Sequence, residues 1–168
     1  MSKHTLTRVM NMKGSKKWTY VIFIGISEAV GALSGWLTRD GMDAVMELPK
    51  SSLTPPPWVF PIVWGILFAL MGVGAARVWL APDSVARNRG LWFFIYQLIF
   101  NFFWSILFFN MQWFGLALIW LGILWLLIAL MAWNFYQADK AAGLLQIPYL
   151  LWVTFALYLN YVTWSLNR

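Results

Sequence analysis

Five apolar stretches run along the chain, near residues 18–37, 58–80, 91–109, 113–136 and 142–165, with polar residues gathered between them. Each is long enough to cross a hydrocarbon core about 30 Å thick, which takes roughly 20 helical residues. None shows the strict alternation of a membrane β-strand. The pattern predicts an all-α integral membrane bundle of five transmembrane helices, a single domain over residues 1–168 with a polar, basic tail at 1–17. The connections 81–90, 110–112 and 137–141 are short, which favours antiparallel neighbours in a compact bundle. Only 38–57 is long, and a long loop in a small bundle reads as a lid. No internal repeat is visible, and an odd helix number argues against a simple inverted-repeat transporter.

The second stretch opens with TPPPWVFPIVW, Thr54 to Trp64. Three prolines hold an extended approach and donate no N–H. A helix starting directly behind them loses nothing, because its first N–H groups are unpaired in any case. This entry brings Trp58 and Trp64 to the edge of the bundle.

Composition agrees with a membrane chain. Of 168 residues 61% are hydrophobic and 11% charged, against roughly 25% charged in soluble domains. There is no cysteine, and the one histidine, His4, lies in the tail. A disulfide framework, a zinc site and a Ser-His-Asp hydrolase are thereby disfavoured, and no metal site is expected. The net charge of +6 sits beside apolar segments, so it reads as a topology signal and not as a nucleic-acid surface. Nine Lys and Arg fall on the N-terminal side (five in the tail, then Arg77, Arg87, Arg89 and Lys140), against Arg39, Lys50 and Arg168 opposite. In a bacterial cell membrane this places the N-terminus in the cytoplasm and the 38–57 loop outside.

Polar positions inside the spans mark candidate chemistry. Gln97, Asn101 and Ser105 share one face of the third helix, as do Trp152, Ala156 and Asn160 in the fifth. Such a face is either an interhelical hydrogen-bond seam or a cavity wall. Pro148 should loosen the fifth helix by freeing the Leu144 carbonyl. Ser27, Gly31 and Gly35, and Gly65, Ala69, Gly72 and Ala76, read as close-packing stripes. Glu28 is a carboxyl at mid-span, where a charge costs several kcal/mol and is usually paired or functional. At 1.5 Å per residue, Glu28, Asn101 and Trp152 lie at one depth, about 15 Å from the cytoplasmic end. Of thirteen tryptophans, eight lie near span ends, where indole prefers the headgroup region. Trp64, Trp104, Trp120, Trp125 and Trp152 lie deeper, where an indole N–H requires a partner or a polar cavity. Trp64 and Trp152 are the expected cavity pair.

The runs PPPWVFPIVWGILF, QLIFNFFWSILFF and FYQADKAAGLLQIPYLLWVTFALYLN resemble, in this order, the TspO/translocator-protein family of tryptophan-rich sensory proteins, related to the peripheral benzodiazepine receptor. The resemblance covers nearly the whole chain. It implies a five-helix bundle, commonly a homodimer, with a pocket closed by the first loop. Its implied ligands are porphyrins (protoporphyrin IX, haem), sterols and benzodiazepine-site drugs. The family's pocket positions fall on Trp64, Trp152, Gln97, Asn101 and Ala156. In the first loop, Ala44, Val45 and Leu48, then Lys50, Ser51, Ser52 and Leu53, stand where many members carry Trp-Tyr-x-x-Leu and Lys-Pro-Ser-Trp. The sterol motif at the end of the fifth helix is not matched; Leu130, Tyr136 and Lys140 fit its spacing only formally.

The expected function is therefore binding of porphyrins or similar flat hydrophobic ligands, for sensing, regulation or transport, with no resident cofactor required. Ligand-binding candidates are Trp58, Trp64, Gln97, Asn101, Trp104, Trp152, Ala156 and Asn160, with Arg39 and Lys50 at the mouth. One alternative is a proton-coupled small-molecule transporter using Glu28. Another is a light-dependent porphyrin-degrading enzyme in which Trp64 and Trp152 donate electrons; no other catalytic residues are expected. Other partners are membrane lipid and sterol, but not nucleic acid.

Overall fold

The structure, a computed structural model, describes residues 3–168, with side chains from Lys16 onward. It contains α1 (Lys3–Glu47), α2 (Val59–Leu80), α3 (Val85–Ser105), α4 (Phe114–Ala138), α5 (Lys140–Leu144) and α6 (Ile147–Leu166). One π-helical turn, Ile106–Asn110, continues α3. Five spans among the described residues are long and apolar enough to cross a membrane: Lys16–Glu47, Val59–Leu80, Val85–Asn110, Phe114–Ala138 and Lys140–Leu166. From Lys3 on, the basic tail is helical and continuous with α1; the side chains of His4, Arg8 and Lys13 lie outside the described residues.

Three boundaries differ from the hydropathy pattern, each because helix ends are set by caps and prolines while hydropathy registers the membrane edge. The loop expected over 38–57 is shorter, since α1 continues to Glu47. Residues 38–47 are polar but compatible with a helix. Thr38 and Val45 turn inward and are buried, and the helix stops where Pro49 disfavours α backbone in Leu48. At α3, Ser84 caps the helix by accepting a hydrogen bond from the Arg87 N–H at 3.1 Å, so the charged residues 85–90 are its first turns. The fifth span breaks in two at residues 145 and 146. Pro148 then falls in the opening turn of α6, where its missing N–H carries no penalty.

The helices form a ring. α1 packs on α2, α2 meets α5, α6 packs on α4, α4 on α3, and the π-turn of α3 returns to α1. Along α4 the residues Phe114, Ala117, Leu121, Leu124, Ile128, Met131 and Phe135 are buried. Their alternating spacing of three and four is the seam that packs a helix at a shallow angle between neighbours. At the end of the bundle shared by Arg77 and Asp139, Arg77 Nε and Nη2 donate to the two Asp139 carboxylate oxygens at 3.1 and 2.9 Å. Asp139 also accepts from the Ala142 N–H and so caps α5. One carboxylate thus ties α2 to the α4–α5 junction.

Candidate ligand-binding cavity

α1 and α2 touch closely at one end and diverge toward the other. A side chain on Gly72 would meet the Ile24 backbone at 2.5 Å, and one on Gly31 would meet the Phe68 ring at 2.3 Å. Farther along, Gly35 and Gly65 have nothing within 4 Å. The resulting wedge is bounded by α1, α2, the end of α3 with its π-turn, and α6, and encloses a cavity of about 540 Å³. Small-molecule sites span roughly 300–1,000 Å³.

Of the sequence candidates, Trp64, Asn101, Trp104, Trp152, Ala156 and Asn160 line this cavity, as do Glu28, Arg39 and Lys50. Trp58 does not: it is 65% exposed at the start of α2, because the proline run turns it outward to the position of an interfacial indole. Gln97 does not line it either. It is fully buried behind the cavity wall, where Asn101 Nδ2 donates to the Tyr149 hydroxyl (2.9 Å) and that hydroxyl donates to Gln97 Oε1 (2.8 Å). This chain of bonds is an interhelical seam between α3 and α6. Asn160 plays a similar part, accepting from Trp104 Nε1 at 3.2 Å and donating to the Phe114 carbonyl at 2.9 Å.

Three of the five deep indoles are satisfied by protein. Trp104 binds Asn160, Trp120 Nε1 donates to the Phe100 carbonyl at 2.8 Å, and Trp125 Nε1 donates to Thr154 Oγ1 at 2.8 Å. Among the described residues, the N–H groups of Trp64 and Trp152 have no protein acceptor, and both rings line the cavity. Trp64 lies 5.6 Å from Phe68, 6.4 Å from Trp104 and 6.1 Å from Tyr149, centroid to centroid. Trp152 packs edge-on against Phe60 at 6.0 Å, closing the gap between α2 and α6 with aromatic surface.

Charge concentrates at the loop end. Arg39 pairs with its neighbour Asp40 at 3.2 Å, and the Lys50 ammonium donates to the Met46 carbonyl at the end of α1. The shortened lid is latched to α6, with Ser51 Oγ and Tyr158 OH at 3.2 Å and Asn167 Nδ2 donating to the Pro49 carbonyl at 2.9 Å.

Sequence reasoning missed Tyr149, Phe60 and Phe68, and it read Gly35 and Gly65 as close-packing positions, whereas both line the cavity. Tyr149 carried a signal, since it falls three residues before Trp152 and seven before Ala156 on one stripe. The two glycines did not, because a glycine at a helix contact and one facing open space look alike in sequence.

The sequence model of the TspO/MBR family matches residues 23–165. The tryptophan-rich protein TspO of Chlorobaculum tepidum is 39% identical over 154 residues, covering 89% of this chain and 96% of that protein. The tryptophan-rich sensory protein of Cereibacter sphaeroides is 37% identical over 158 residues, 94% and 95% of the two chains. The translocator protein of Homo sapiens is 30% identical over 155 residues, 90% and 92%. With five membrane-spanning helices and this extent of similarity, the chain is an integral, multi-pass membrane protein belonging to the TspO/MBR family.

Proposed function

We propose that the cavity binds a flat hydrophobic ligand of the porphyrin class, and that the protein senses or regulates through its occupancy. The observation that carries this reading is the pair Trp64 and Trp152, deep indoles that line the cavity with their N–H groups free of protein acceptors. Together with Phe60 and Phe68 they offer aromatic walls, Ala156, Gly35 and Gly65 leave room, and Arg39 and Lys50 supply cations for ligand carboxylates at the mouth. Among the described residues the lining holds no histidine or cysteine, and Met42 and Met46 are its thioethers, so metal-free porphyrin is expected to bind at least as well as haem. The excess of Lys and Arg on one side supports a cell-membrane orientation with the N-terminus in the cytoplasm.

The test is a tryptophan-fluorescence titration of the purified protein with protoporphyrin IX in the dark, beside Trp64→Phe, Trp152→Phe and Gly65→Phe. Saturable quenching that weakens in all three is expected. Quenching that does not saturate, or that is the same in every variant, would overturn the reading as partition into detergent.

A further inference from the structure

We propose that Glu28 makes this cavity a site for a second ligand class, flat aromatic molecules bearing an ammonium group. The inference rests on the reading of the cavity as a ligand site.

Glu28 lines the cavity but makes no hydrogen bond or ion pair among the described residues. The charged groups lining the cavity besides Glu28 are Arg39, Asp43 and Lys50, and the walls from α2, α3 and α6 are uncharged. Arg39 stands eleven residues farther along α1, about 16 Å at the helical rise, and is paired with Asp40. Asn101 Nδ2 donates to Tyr149. An ionised carboxyl at mid-membrane depth without a partner costs several kcal/mol, so a ligand that brings a cation or donor offsets a cost that the protein leaves unmet.

The surrounding surface suits such a group. The Phe68 ring lies against Gly31, one turn from Glu28, and it leads into Trp64 and Trp104. A carboxylate beside aromatic faces is a recognition chemistry for an ammonium ion. Glu28 is the charged group of the inner end, while Arg39, Asp43 and Lys50, of both signs, lie toward the mouth. A cationic aromatic therefore finds its unpaired carboxyl at the inner end.

The test uses the full chain in nanodiscs of zwitterionic phosphatidylcholine, with energy transfer from tryptophan to two probes: 1-(aminomethyl)pyrene, cationic at neutral pH, and its neutral isostere 1-ethylpyrene. The wild type is expected to bind the ammonium probe about tenfold tighter, the increment of one charge-assisted hydrogen bond. Glu28→Gln should bring the two probes to within about twofold of each other, chiefly by weakening the ammonium probe, and saturable 1-ethylpyrene binding reports an intact cavity. Glu28→Asp, which keeps the charge, should retain a preference. Equal affinities in the wild type, or a preference that survives in Glu28→Gln, would overturn the assignment while saturable 1-ethylpyrene binding left the cavity reading standing. Absence of saturable binding by either probe would overturn both.

Discussion

Indole N–H groups divide the deep tryptophans of this bundle into those tied to another helix and those left free at the cavity. Trp104, Trp120 and Trp125 each give their donor to another helix, so their replacement breaks an interhelical hydrogen bond, while Trp64 and Trp152 lose no such bond. Interhelical hydrogen bonds in membranes contribute about 0.6 kcal/mol on average and up to about 1.7. Asn160→Ala removes two, and Tyr149→Phe breaks the chain through Asn101 and Gln97. Each is expected to lower stability by about 1–2 kcal/mol in denaturant unfolding from mixed micelles, against less than about 1 kcal/mol for Trp64→Phe. Equal losses would mean that the Trp64 N–H is bonded after all. The sequence announced that deep indoles had to be paired or face a cavity. It could not assign each to its class, because the acceptors (Phe100 carbonyl, Thr154, Asn160) stand on other helices and no local spacing records them.

Helix by helix, small-residue stripes mean different things along their own length. Gly72 lies on the Ile24 backbone, whereas Gly35 faces open space. Gly72→Val is therefore expected to destabilise by about 2–3 kcal/mol through overpacking against backbone that cannot yield. Gly35→Val should leave the melting temperature nearly unchanged and reduce ligand affinity instead. A thermal melt of both variants in detergent separates the two roles, and a similar drop in each would refute the wedge between α1 and α2. The same scale holds the Arg77–Asp139 clasp. Burial by itself raises the Asp139 carboxyl, but the Arg77 hydrogen bonds, the Ala142 N–H and the guanidinium charge outweigh it and hold the group below its ordinary range. A depressed folded-state pKa contributes stability that is fully present above the unfolded value, about 3.9, and is lost as pH falls through the folded one. Wild-type stability should accordingly drop as pH is lowered below about 5, and Asp139→Asn should show a shallower drop from a starting point about 1–2 kcal/mol lower. Identical pH profiles would remove the clasp from the account. The Arg77 and Asp139 partnership spans 62 positions, which is why hydropathy and periodicity gave the five spans but not this tie.

For the molecule as a whole, the question is how a ligand passes the loop end of the cavity. The lid is held to α6 by two polar contacts, Ser51 with Tyr158 and Asn167 with the Pro49 carbonyl. Both are exposed, and exposed hydrogen bonds of this kind contribute about 0.5–1.5 kcal/mol each. The latch is thus weak enough to open often and strong enough to slow exchange. Loosening it in Ser51→Ala/Asn167→Ala touches no side chain that lines the cavity, so association and dissociation of protoporphyrin IX should both accelerate, by about three- to tenfold, with affinity changing less than either rate. Stopped-flow tryptophan quenching in the dark reads both constants. Faster dissociation alone would mean that the closed lid contributes contacts to the bound ligand and is not merely its door. Unchanged rates would move the route to the lipid-facing wedge between α1 and α2, where Ala32, Gly35 and Pro61 are at once exposed and part of the cavity lining, and Gly35→Val should then slow both rates where the latch variant had no effect.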